Sequence, residues 1–195
     1  MIQILLISDI IIGICLWILF SAIAINFIIY GHTKLLIKKK KKSIVETGSM
    51  LLFFFFFYIL IRFDIGLVII NQNLNLLLII IGLFMVIVGC IFNVIGRLDL
   101  GHNWGNQVII YNNHELVESG LYKIVRHPLY SSIIMMFYGA SLVHSNIYTI
   151  LLTSFIFIPF MYYRAKQEEK ELSKVFKDYK FYQNRVGMFF PKLLK

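Results

Sequence analysis

Gly120-Leu-Tyr-Lys-Ile-Val-Arg-His-Pro-Leu-Tyr130 is a basic, aromatic segment that runs directly into an apolar stretch, and the chain is best understood outward from it. Pro128 suits the first turn of a helix, where its missing N–H costs nothing. It also biases His127 away from helical geometry. A helix is therefore expected over 128–143, with His127 at its mouth beside unpaired backbone donors, a natural place to hold a carboxylate. A second apolar stretch, 147–163, follows the polar turn His144-Ser145-Asn146, so the two form a helical hairpin. Both arms are short for a bilayer crossing, which asks for tilt, local thinning or burial by neighbours.

Upstream, residues 10–33 carry no formal charge, and 44–61 and 76–95 are further apolar runs. A bilayer crossing needs about 20 apolar residues. With 59% apolar residues and a mean hydropathy of +0.78, the 195-residue chain is too hydrophobic for an ordinary soluble domain. The first run lacks a basic leader and precedes the lysines, so it is expected to be a retained anchor. Arg62 and Asp64 mark the opposite interface, and Asn71-Gln72-Asn73 with Asn75 reads as a polar turn. The run of phenylalanines at 53–57 reads as lipid-facing or packing bulk. Cys15 and Cys90 lie inside apolar runs without metal-type spacing and read as buried free thiols.

A formal charge of +9 suggests nucleic acid in a soluble protein. Here the basic residues have another cause. With the amino terminus outside, five spans place 34–42, 97–127 and 164–195 on the cytoplasmic side. Those segments hold 6, 3 and 9 of the 19 Lys and Arg, leaving only Arg62. Cytoplasmic loops of membrane proteins collect Lys and Arg in this way. The expected fold is an all-α integral membrane protein of about five transmembrane helices, the last two a hairpin. One domain, 1–195, contains three amino-terminal transmembrane helices in 1–96 and a cytoplasm-facing part in 97–195. From Arg164 the chain becomes polar. Leu172, Val175, Phe176 and Tyr179 recur at i, i+3, i+4 and i+7, the mark of one amphipathic helix. Pro191 ends that pattern, and a basic tail along the membrane surface follows.

Several polar residues gather at the cytoplasmic end. Tyr122 and Tyr130 flank the central segment, either as an interfacial aromatic belt or as rings facing a cationic or purine ligand. Arg126 reads as an interfacial anchor, and His114 with its neighbours as loop. Arg164 and Glu168 are four apart on one helical face, either as an exposed ion pair or as a site at the bilayer boundary. Pro159, one turn earlier, is expected to kink the last helix.

Taken together, residues 97–191 resemble the isoprenylcysteine carboxyl methyltransferase family, within the wider group that includes phospholipid N-methyltransferases. The matching features are Leu100-Gly-His-Asn-Trp104, Gln107, His114-Glu-Leu-Val117, Gly120-Leu-Tyr122, Arg126-His-Pro-Leu-Tyr130, and Arg164 with Glu168-Glu169. Phe176, Tyr179, Tyr182 and Pro191 complete them. The resemblance implies S-adenosylmethionine as methyl donor, leaving as S-adenosylhomocysteine, in a cytoplasmic pocket. It implies that Gln107, His114, Glu115, Leu116, Val117, Tyr122, His127, Pro128, Leu129, Tyr130 and Glu168 line that pocket. Arg164 then faces the substrate carboxylate, with Arg164 and His127 as the catalytic pair. Two departures stand out: Ser131-Ser132 follows Tyr130 where the family commonly has a glycine two residues on. Phe176-Lys-Asp-Tyr179 is one residue shorter than the family pattern and has no glycine.

The expected chemistry is O-methylation of a lipophilic, membrane-embedded carboxylate. Its partners are that substrate and the bilayer, with no nucleic acid and no metal. A phospholipid amine N-methyltransferase is the alternative; an amine must be deprotonated, a task for His127 or Glu168. A sterol-type reductase using NADPH is a further alternative, and a non-catalytic scaffold leaves the charged cytoplasmic spacing unexplained.

Overall fold

The structure is a computed structural model that describes residues 2–30, 37–41, 44–103, 108–111 and 115–192. Seven helices carry the architecture: α1 (Ile2–Tyr30), α2 (Ile44–Arg62), α3 (Gln72–Leu100), α4 (Pro128–Val143), α5 (Ile147–Leu152), α6 (Ile158–Val175) and α7 (Tyr179–Arg185). Among the described residues, three helical stretches are long and apolar enough to cross a membrane: Gln3–Asn26, Gln72–Asn103 and Ile147–Val175. Gly48–Arg62 and Pro128–Val143 are shorter apolar helices. The fold is all-helical in class, with one short strand pair beside the helices. Strands β1 (Ile37–Lys41) and β2 (Val108–Tyr111) pair antiparallel, Ile37 opposite Tyr111. A lysine run has little intrinsic strand preference, so only its long-range partner makes it one.

Other boundaries also moved. Asn71 is not part of a turn: its side chain accepts from Leu74 N at 2.8 Å and caps α3, which therefore contains Asn73 and Asn75. The carboxyl-terminal arm of the hairpin is longer than expected, because α5 continues through a π-helical turn, Thr153–Phe157, into α6. Pro159 explains the turn's position. A proline lacks the helical donor and crowds the carbonyl four residues back; the backbone widens just before it, with Ile158 N bonding Thr153 O.

α3 and α4 form the spine. Gly82, Gly89 and Gly96 recur every seven residues, two helical turns, and lie on one face of α3. A Cβ at Gly82 would sit 2.5 Å from the Gly139 carbonyl oxygen, and one at Gly139 would sit 2.6 Å from that of Gly82. The backbones touch, as small residues permit inside a bilayer. Gly139→Leu is therefore expected to destabilise the fold by about 2–3 kcal/mol through overpacking. That would read as a lower unfolding midpoint in detergent, and an unchanged midpoint would deny the contact.

Helix α1 docks here through Cys15 and Leu19, which pack on Val86 and Cys90 of α3 and Met136 of α4. Both cysteines are buried and free. On the other side of α4, helical periodicity divides the phenylalanine run. Phe53 and Phe57 are buried against Phe137 and Phe157, with ring centroids 4.5–4.8 Å apart, while Phe55 and Phe56 face outward. At the turn between α4 and α5 Asn146 is fully buried; its Nδ2 donates to Ile65 O at 3.0 Å, stitching that turn to the loop after α2.

The single carboxyl-terminal helix is corrected to two. α6 stops at Val175, and Tyr179 begins α7. Tyr179, Tyr182 and Val186 form a small core with Leu116, Leu172 and Phe176, while Val175 faces outward. Helical spacing across residues 176–178 does not hold, because the chain turns there. Residues 186–189 then run beside residues 125–127, with Val125 and Gly187 bridged in parallel.

Candidate functional site

The central segment is built from its turn. Gly120 adopts φ +57°, a left-handed conformation that favours glycine. Its Cα also abuts the Asp99 carboxylate, so any Cβ would collide with it. Asp99 Oδ2 accepts from Leu121 N at 2.8 Å and fixes the turn to the end of α3. The short 3₁₀ turn Gly120–Lys123 then carries Tyr122 inward. Tyr182 donates its hydroxyl to the Tyr122 carbonyl at 2.7 Å.

His127 has the non-helical geometry expected before proline, φ −126° and ψ 64°, and it caps α4 with Pro128 at the first position. The backbone donors expected to hold a carboxylate at this helix mouth are otherwise engaged. His127 N bonds Met188 O at 3.1 Å, and Tyr130 N and Ser131 N both bond the His127 carbonyl. Side chains hold the carboxylates instead. His127 Nδ1 lies 3.5 Å from Glu168 Oε2, and Nε2 lies 3.3 Å from Glu169 Oε1. The Tyr130 hydroxyl donates to Glu168 Oε1, and its ring stacks on that of His127 at 5.4 Å and 4°.

Arg126 is not a surface anchor. It is largely enclosed, its side chain 9% exposed, with Nε donating to Glu169 Oε1 at 2.8 Å and Nη1 to the carbonyls of Gln183, at 3.1 Å, and Val186. Gln183 Nε2 completes the set at 3.0 Å from Glu169 Oε2. Arg164 is buried. Its Cζ lies 5.8 Å from the centre of the Tyr130 ring, within cation–π range, and Nη1 donates to Met50 Sδ at 3.0 Å. Burial of His127 opposes its charge, but hydrogen bonds to Glu168 and then Glu169, with their negative charges, hold its pKa above the ordinary histidine value. Burial, then Glu168, pushes the Tyr122 phenol up.

A second feature adjoins this cluster. An open cleft of about 560 Å³ is lined by residues 99–103 and 115–119, with Asp99, Glu115 and Glu118 among them. Glu115 N is anchored to Asn103 Oδ1 at 3.0 Å. Leu116 belongs both to the cleft and to the Tyr182 core. The expected pocket residues thus divide. Glu115, Leu116 and Val117 line the cleft; Tyr122, His127, Tyr130, Glu168 and Arg164 lie in the buried network or beside it. Pro128 and Leu129 instead pack against Gly96 of α3. Gln107 and His114 lie outside the described residues.

Ser131 and Ser132, which follow Tyr130, act as pins. Ser131 Oγ donates to Phe189 O at 2.8 Å, while buried Ser132 donates to Leu129 O and accepts from Asn93 Nδ2 at 2.8 Å. Sequence reasoning missed Asn93 and Arg97, joined by an Arg97 Nε to Asn93 Oδ1 bond of 2.9 Å. Two polar residues four apart in an apolar run were a usable signal. Glu169 and Gln183 were also missed as site residues. The pair Glu168-Glu169 was visible, but which of two adjacent acids points inward depends on how α6 is rotated.

Residues 78–174 match the model of the isoprenylcysteine carboxyl methyltransferase (ICMT) family. The chain is 39% identical over 74 residues to methanethiol S-methyltransferase of Pseudomonas deceptionensis, covering 37% of this chain and 27% of that protein. It is 30% identical over 115 residues to protein-S-isoprenylcysteine O-methyltransferase of Saccharomyces cerevisiae, covering 57% of this chain and 48% of that one. The chain therefore spans about a quarter and about half of the lengths of these two curated relatives.

Proposed function

Because the chain belongs to the isoprenylcysteine carboxyl methyltransferase family through residues 78–174, we propose that it is a membrane methyltransferase acting on a lipophilic carboxylate of the isoprenylcysteine type. The observation that carries this reading is the buried Arg164 guanidinium over Tyr130, whose hydroxyl is bonded to Glu168. A permanently charged fork suits a carboxylate acceptor. The proposed topology keeps five spans with the amino terminus outside, so the site faces the cytoplasm and the lipid part of the substrate enters from the bilayer.

The residues fit S-adenosylmethionine as donor. A cleft of about 560 Å³ falls within the usual size of small-molecule sites. Asp99 and Glu115 complement a cation, while Glu118 is already paired with Arg185. Glu115, Leu116 and Val117 would hold the donor from the cleft, and Tyr122, Tyr130 and Glu168 from the network. When bound, the donor supplies a methyl group on a cationic sulfur that departs as a neutral thioether.

The acceptor carboxylate is ionised at neutral pH and needs no base. What remains is alignment and the removal of water from the anion, which buried side chains and close packing supply. His127, held between Glu168 and Glu169 with a raised pKa, is poorly suited to take a proton from an amine. That favours the carboxylate over a phospholipid amine.

The test supplies deuterated-methyl donor to the purified protein with a prenylated cysteine, phosphatidylethanolamine and an alkanethiol, the last chosen for the Pseudomonas relative. Mass spectrometry is expected to find the label as an ester of the prenylated cysteine. Label confined to the amine or to the thiol would reassign the acceptor. Titration calorimetry is expected to register S-adenosylhomocysteine and not NADPH; the reverse would point to a reductase.

A further inference from the structure

Glu169 is the most heavily bonded acid of the network, although neither its spacing nor the resemblance gives it a task. Its side chain is 3% exposed, against 25% for Glu168. Donors reach it from separate parts of the chain: Arg126 and His127 from the loop before α4, and Gln183 from α7. A carboxylate so deeply buried is costly unless it is paired and hydrogen-bonded. Gln183 and Val186 lie beyond the stretch that matches the family.

The geometry also limits the state of His127. A neutral imidazole has one N–H and an imidazolium has two. With a carboxylate oxygen near each ring nitrogen, only the imidazolium donates to both. The groups facing the ring are Glu168 and Glu169 from α6, Tyr130 from α4, Arg126 beside it and the Phe189 ring from the carboxyl-terminal segment, with Arg164 beyond Tyr130.

We propose that Glu169 is a positioning residue that holds His127 as a fixed two-sided donor, so that His127 sets the orientation of the Glu168 carboxylate, with α7 closing the arrangement through Gln183. The part concerning Glu168 rests on its reading as a methyl-donor ligand; the holding of His127 does not. A histidine whose pKa is raised by folding contributes stability below its unfolded value and loses it as pH rises through the folded one. Neutralising Glu169 removes one of the two charges responsible, so that upper limit moves to lower pH.

The test uses the full chain in lipid nanodiscs, labelled with ¹³C,¹⁵N-histidine, with H127Q used only to assign the signal. In the unsubstituted protein both His127 nitrogens are expected to be protonated at pH 7; a neutral tautomer there overturns the proposal, whether or not any variant folds. In E169Q the His127 titration midpoint is expected at lower pH. S-adenosylhomocysteine affinity is expected to fall at least about tenfold at pH 8, in the range for removing a residue that orients a ligand group, and to recover at pH 6. An unmoved midpoint, or an equal loss at both pH values, overturns the assignment. If the unsubstituted protein does not bind S-adenosylhomocysteine at all, the methyltransferase reading fails while the histidine spectra still decide the role of Glu169.

Discussion

Arg164→Ala is expected to lower kcat/KM for a prenylated cysteine carboxylate by about 100-fold or more, since losing one partner of a buried charged pair typically costs 2–5 kcal/mol. Arg164 is buried between Met50 of α2 and the Tyr130 ring. S-adenosylhomocysteine affinity is expected to change far less, because Glu168 keeps its own partners, His127 and Tyr130. That separation distinguishes a substrate role from a general loss of structure. Arg164→Lys keeps the charge but loses the planar fork, so partial activity is expected. Equal losses in turnover and in S-adenosylhomocysteine binding would instead make Arg164 part of the donor pocket. Full activity in Arg164→Ala would remove the carboxylate assignment.

Ending the chain after Arg185 is expected to abolish S-adenosylhomocysteine binding and to lower the unfolding midpoint. The deleted segment supplies the carbonyls of Gly187 and Met188 to Arg126 N and His127 N, at 2.8 and 3.1 Å. It also supplies the Val186 carbonyl to the Arg126 guanidinium, and Phe189 both accepts from Ser131 and sets its ring edge-on to His127. Leaving several buried donors unsatisfied costs about 1–3 kcal/mol each. A gentler variant, Gly187→Ala, tests the same segment, because a Cβ there would strike the Phe190 carbonyl. Its expected effect is weaker donor binding with the fold retained. Truncated protein that binds S-adenosylhomocysteine normally would show that the segment merely lies over the site.

Much of this architecture was legible because period and charge act locally. Pro128–Val143 is helical over the residues the hydropathy marks, and Pro128 opens it. The phenylalanine run is packing bulk, with its inward members set by helical spacing. Errors arose where distant segments meet. Helix α6 ends at Val175 although the apolar spacing runs on to Tyr179, because the chain turns to build the Tyr179–Tyr182–Val186 core. Arg126 looked like an interfacial anchor because its partners, Glu169 and the Gln183 carbonyl, are 43 and 57 residues away in sequence.

Composition, helical period and the placement of Lys and Arg by themselves determined a helical membrane chain, since each depends only on neighbouring residues and on the solvent they prefer. The structure alone decided which of Glu168 and Glu169 is the less exposed to solvent, that Arg126 is enclosed, and that residues 187 and 188 pair with the His127 loop. Those outcomes depend on the rotation of α6 and on hydrogen bonds between segments far apart in the chain, and no local pattern encodes either.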